Sequence, residues 1–309
     1  MDVLRYMCAF FMVISTVRSY RILGLFCYPG KSHFEVSIPI MKQLAVVGHN
    51  ITVVSPFTLT QPQERYTDLS FHEVLPLNKE EHPANNMNSI HSRILASYLT
   101  PFLSDNSVDG FCKLAFESKA VQKLLESAEK FDLVITEMFV TDCLLAINQK
   151  YNVPVIGFVS SIMLPWNAAR FGVPDTPSYI PTLFLDYSQQ MSFFGRLENT
   201  LVSLAHKFWF VMRNKRDDEI AAKYLNGVSR SASRFADNAS LLLVNSHHSL
   251  NGPRPFPPNV IEIGGVHIGK SKQLPAIKNS KIVGNISHHN FQRYPLTLSY
   301  NSRKRESRE

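Results

Sequence analysis

His33 stands in the run CYPGKSHFEVSIPIMKQL (residues 27–44), just past a Pro-Gly pair and where a helix should begin. Three chemistries compete for it. Gly30-Lys31-Ser32 suggests a phosphate loop, but that pattern needs a glycine five residues before Gly30, and position 25 is Leu. A second reading is structural, with the imidazole capping the helix. The third is a general base, because imidazole is the side chain that titrates near neutrality. Such a base needs a carboxylate on its other ring nitrogen. The acids placed for that task lie in TEMFVTDC: Glu137 ends an apolar strand and Asp142 opens the next helix. Each has a plainer role, Asp142 as a helix N-cap and Glu137 as a strand terminus.

Other reactive types carry less. Once a cleaved leader removes Cys8, Cys27, Cys112 and Cys143 remain, and their odd number and scatter make neither a disulfide framework nor a zinc site. His288-His289 lacks carboxylates or cysteines at ligand spacing, so no metal is expected. Asn50, Asn238 and Asn285 begin Asn-X-Ser/Thr sequons and are candidate N-glycosylation sites.

These residues are positioned by an alternating pattern. Apolar strands are expected at 21–27, 50–55, 70–75, 132–137, 153–159 and 240–245, and helices at 34–47, 87–104, 115–130, 142–150 and 195–225. Alternation of this kind implies crossovers and an α/β fold, a doubly wound parallel sheet with helices on both faces. His33 then follows the carboxyl end of the first strand, where such sheets place their ligands. Residues 160–195 break the pattern: Pro165, Pro174, Pro177 and Pro181 punctuate an aromatic and Met-rich run with no simple period. It reads as a long loop, either a pocket wall for apolar ligands, a membrane-surface contact, or an excursion packed on the sheet.

The ends differ from the body. Arg5 precedes MCAFFMVISTV, and small residues near Ser19 suit cleavage, so residues 1–19 are expected to be a signal peptide. The net charge of +7 is concentrated at the other end: residues 271–309 hold eight Lys/Arg against two Asp/Glu. With no nucleic-acid signature beside it, that basic stretch is expected to be a disordered tail and no nucleic-acid partner is expected.

RILGLFCYPGKSHFEVSIPIMKQLAVVGHNITVVSPF, FDLVITEMFVTDC, PSYIPTLFLDYSQQMSFFGRLENTL and LLLVNSHHSLNGPRPFPPNVIEIGGVHI together resemble the amino-terminal half of an invertebrate UDP-glycosyltransferase, a relative of the vertebrate glucuronosyltransferases. The resemblance covers residues 20–268 and implies a Rossmann-like acceptor-binding domain. It implies transfer of a hexosyl group, with inversion, from UDP-glucose or UDP-glucuronate to a small lipophilic acceptor; the UDP-sugar is a co-substrate and no cofactor is required. His33 matches the family's base, Asp142 is the preferred orienting acid with Glu137 in reserve, and the acceptor pocket maps to 160–195. The family's site faces the lumen of the endoplasmic reticulum. The family's donor-binding domain and membrane anchor find no match after residue 268, where residues 269–309 diverge. Low activity of this polypeptide alone is therefore expected. The alternative is a non-catalytic lumenal binder of lipophilic ligands, or a homo- or hetero-oligomeric partner of intact transferases.

Overall fold

The computed structural model describes residues 18–74, 98, 105–225 and 231–269. Most of the expected signal peptide, the expected helix at 87–104 apart from Tyr98, and Asn285, His288 and His289 with the rest of the tail from 270 on lie outside these residues. By internal contacts the chain divides into Met1–Ile268 and Gly269–Glu309.

The first unit is built on seven parallel strands: β1 Arg21–Leu25, β2 Asn50–Ser55, β3 Tyr66–Ser70, β4 Leu133–Glu137, β5 Val155–Val159, β6 Leu241–Val244 and β7 Val260–Glu262. Their order is β3-β2-β1-β4-β5-β6-β7. The chain winds outward from β1 in one direction, then returns to place β4 on its other side, pairing Ile22 with both Ile51 and Leu133. This is the doubly wound, Rossmann-like arrangement, and the point of reversal lies between β1 and β4.

Strand period 2 sends alternate side chains of β1 into two cores. Ile22 and Phe26 join Phe34, Met41, Val53, Ile135 and Phe158 beneath helix α1 (Lys31–Val46). Leu23 and Leu25 join Val134, Phe116 and Leu145 on the opposite face. Burying a side chain of this size is worth about 1.5–3 kcal/mol, so the two-sided apolar pattern explains why these segments become interior strands. Gly24 is the exception that permits close packing: a Cβ there would lie 2.8 Å from the Met41 methyl.

The second face carries α2 (Asp105–Glu117), α3 (Lys119–Glu126), the thirty-residue α4 (Phe193–Ala222) and α5 (Ala232–Asp237). The helix expected at 115–130 is interrupted at Ser118, whose hydroxyl accepts from the Val121 N–H and so caps a new helix. Instead of one helix at 142–150, a 3₁₀ turn (Cys143–Ile147) leads into one helical turn, Asn148–Tyr151, that ends on left-handed Asn152. The strand expected at 70–75 sits earlier, at Tyr66–Ser70, because its ladder with β2 is exhausted at Ser55–Ser70. Phe71 still reaches the core, and His72–Val74 form a 3₁₀ turn.

The cysteine reading is corrected. Cys112 of α2 and Cys143 form a disulfide, because the helix packs on the turn that follows β4. Cys27 is free and buried; burial above all pushes its thiol up to about 12, so it stays protonated and inert.

Residues 160–192 are largely a packed excursion. Trp166 stacks on Phe210 of α4 with ring centroids 5.0 Å apart, and Met163, Leu164, Phe171 and Ile180 are buried. The Trp166 indole N–H donates to the Phe139 carbonyl at 2.7 Å, and the Asn167 amide donates to the Met138 carbonyl at 2.7 Å. These bonds fix the segment over the carboxyl end of β4. Among the described residues, no helix is long and apolar enough to cross a membrane.

Candidate functional site

Gly30 caps α1 through its backbone alone, its carbonyl accepting from the N–H groups of His33 and Phe34, and no side chain closes the helix start. The His33 imidazole is therefore not a cap. It projects across the reversal point, where its Nδ1 lies 2.7 Å from Glu137 Oε1. Glu137 is the last residue of β4, and its side chain is 3% exposed against 18% for His33. When the carboxylate is ionised it can only accept, and the contact then requires the proton on Nδ1.

Two rings pack against the imidazole. Tyr28 lies 4.6 Å away and Phe139 4.4 Å away, both tilted, and the two rings also contact each other at 4.9 Å. Burial, with the charge of Glu137 adding to it, pushes the Tyr28 phenol above its ordinary value, so the ring stays neutral. Gly30 makes room for this packing, since a Cβ there would sit 2.7 Å from Tyr28 Cε1 and 2.9 Å from His33 Cδ2. Ser160, the residue after β5, places its Oγ 2.7 Å from His33 Nδ1.

Asp142 does something else. Both of its carboxylate oxygens are bound by Arg170, at 3.3 and 2.5 Å, and Arg170 also reaches Asp237 at 3.0 Å. The backbone N–H of Asp142 donates to Asp217, which also accepts from the Thr141 hydroxyl and pairs with Arg213. The preference for Asp142 as the acid facing His33 is thereby corrected: strand β4 ends at Glu137, and the next five residues turn away under α4. Asp142 makes no side-chain cap bond either.

Sequence reasoning missed Tyr28, Phe139 and Ser160. Ser160 was the one within reach, as it directly follows the apolar run VPVIGFV, just as Glu137 closes FDLVITE. Among the described residues no group of three His, Cys, Asp or Glu is placed to hold a metal ion. Of the sequons, Asn50 is exposed at the start of β2, and Asn238 is exposed at the end of α5, its amide donating to the Arg234 carbonyl.

The histidine–carboxylate pair thus stands at the point of reversal of a doubly wound α/β domain, where open sheets of this kind place their ligands. Residues 28–284 match the family described as UDP-glucoronosyl and UDP-glucosyl transferase, and the chain belongs to that family. It is similar to a UDP-glycosyltransferase of Dactylopius coccus, 33% identical over 267 residues, or 85% of this chain and 50% of that protein. A UDP-glucosyltransferase of the same organism is 30% identical over 273 residues, 86% of this chain and 51% of the other. A UDP-glucuronosyltransferase of Rattus norvegicus is 28% identical over 265 residues, 79% and 48%. Among solved structures, the glycotransferase of kitacinnamycin overlaps with a TM-score of 0.41 and 13% identity, over 84% of this chain and 56% of that one. The chain spans about half the length of these curated relatives.

Proposed function

We propose that this domain is the acceptor-binding half of a UDP-glycosyltransferase, with His33 as general base and Glu137 as the carboxylate that orients it. The observation that carries the reading is the 2.7 Å contact between His33 Nδ1 and Glu137 at the carboxyl edge of the sheet, where β1 and β4 diverge.

An imidazole does not remove the proton of a free alcohol outright, but it takes that proton as the new bond forms. The acceptor oxygen attacks the anomeric carbon of the UDP-sugar while its proton passes to Nε2. The bond from that carbon to the diphosphate oxygen breaks, and UDP leaves with the electron pair. Attack opposite the leaving group inverts the anomeric centre, and the positive charge left on the imidazole faces the Glu137 carboxylate. UDP-glucose and UDP-glucuronate are the donors to test first. The acceptor is a small lipophilic alcohol or phenol, whose apolar body suits the Tyr28 and Phe139 rings beside the base.

A lumenal, secretory location fits two features: the Cys112–Cys143 disulfide, which persists in oxidising compartments, and the exposed sequons at Asn50 and Asn238. Treating the expressed protein with an N-glycosidase should lower its apparent mass.

The deciding experiment places His33→Ala in a chain that also carries a donor-binding half. Transfer should fall about 10²- to 10⁴-fold with acceptor affinity little changed. Undiminished transfer by His33→Ala would overturn the assignment and leave a domain that binds lipophilic ligands without acting on them.

A further inference from the structure

We infer that Ser160 is a positioning residue for His33, its hydroxyl fixing the angle at which the imidazole meets Glu137. The inference rests on the reading of His33 as the base and names a second group that sets its direction.

Two oxygens meet at one nitrogen. Glu137 Oε1 and Ser160 Oγ each lie 2.7 Å from His33 Nδ1. A hydroxyl can donate or accept, whereas an ionised carboxylate only accepts. Were Ser160 to donate, Nδ1 would be bare and its lone pair would face the carboxylate at that same distance. The arrangement without repulsion has Nδ1–H shared between Glu137 and a Ser160 lone pair. The serine hydroxyl proton then points away from the ring.

Ser160 is itself held. It follows β5 directly, and the Asn245 N–H just beyond β6 donates to the Val159 carbonyl at 2.9 Å. The Asn245 side-chain amide donates to the Ser160 carbonyl at 2.8 Å, while its Oδ1 accepts from the Gly265 N–H at 3.4 Å. The loops after β5, β6 and β7 thus converge on the backbone that carries this hydroxyl. Glu137 alone would fix the distance to Nδ1 and leave the ring free to pivot. An acceptor from the neighbouring strand removes that freedom, and the adjoining Tyr28 and Phe139 rings limit the swing on their side.

The test separates this role from the reading beneath it. Nitrogen-15 spectra of the 309-residue chain would resolve Nδ1 and Nε2 of His33 and report its tautomer without any turnover. Wild type and Ser160→Thr should show one sharp Nδ1–H signal, and Ser160→Ala the same tautomer with that signal broadened as the ring pivots. In a chain carrying the donor-binding half, Ser160→Ala should lower kcat about three- to tenfold at near-constant KM, the size expected for one hydrogen bond, and Ser160→Thr should restore it. A sharp Nδ1–H signal together with full kcat in Ser160→Ala would overturn the inference; so would a loss that Ser160→Thr fails to restore while circular dichroism shows an intact fold. If His33→Ala transfers normally, the base assignment fails, and the spectra still decide whether Ser160 fixes the ring.

Discussion

His33 and Glu137 are 104 residues apart in sequence and 2.7 Å apart in space. The contact joins the first turn of α1 to the last residue of β4, the two segments that meet where the sheet reverses its winding. Glu137→Gln keeps the shape of the acid but removes its charge. In a chain with a donor-binding half it should lower kcat by about 10²-fold or more and change KM little, because an amide stabilises the imidazolium poorly. Steady-state kinetics checks this, and an unchanged kcat would remove Glu137 from the site.

Asp142→Asn should behave oppositely. The Arg170 side chain is 7% exposed, and Asp142 is its buried partner. Removing that charge leaves the guanidinium under-compensated, at a cost of about 3 kcal/mol. Denaturant melts should register the loss, while transfer per folded molecule stays close to wild type.

Gly30→Ala probes the packing around the base. The new methyl would press on Tyr28 Cε1 and His33 Cδ2, both under 3.0 Å away. Since ring edges can move, the fold should survive. The imidazole should not keep its alignment, so kcat is expected to drop while the melting temperature changes by only a few degrees.

Acid should destabilise the domain through His206. It is buried on α4, donates from Nε2 to the Tyr98 carbonyl at 3.2 Å, and packs edge-on against Phe184. Burial holds its pKa below the ordinary histidine value. The unfolded chain therefore takes up a proton near pH 6.5 that the native state resists, and stability falls as pH drops through that value toward the native pKa. Asp217, pushed up to about 6 by burial, acts in the other direction: its native state binds the proton first, so its term favours folding as pH falls from about 6 toward 4. The difference between wild type and His206→Phe melts from pH 7.5 to 5 isolates the histidine. A pH-independent difference would contradict its buried, neutral state.

The disulfide closes a loop with a sequence separation of 31 between Cys112 and Cys143. Opening it should cost about 2–4 kcal/mol through added freedom in the unfolded chain. Mass spectrometry without reductant should find the linked peptides, and Cys112→Ala with Cys143→Ala should melt earlier than the oxidised wild type.

What the sequence determined by itself was local. Apolar runs of strand length, a turn at Pro29-Gly30 and a helical spacing from Phe34 to Ala45 are short-range patterns, and they are enough to define a doubly wound sheet and to put His33 at its carboxyl edge. TEMFVTDC likewise narrowed the acid to two residues five apart. Choosing between them required tertiary structure, because strand β4 has to end somewhere, and the core beneath α4 draws Thr141, Asp142 and Cys143 away from the cleft. The pairing of Cys112 with Cys143 was invisible for the same reason, since it depends on where α2 docks. Ser160 reaches His33 only because β4 and β5 are neighbours in register, Glu137 beside Phe158. Linear order carries no record of that proximity; it arises when the sheet buries its two apolar faces.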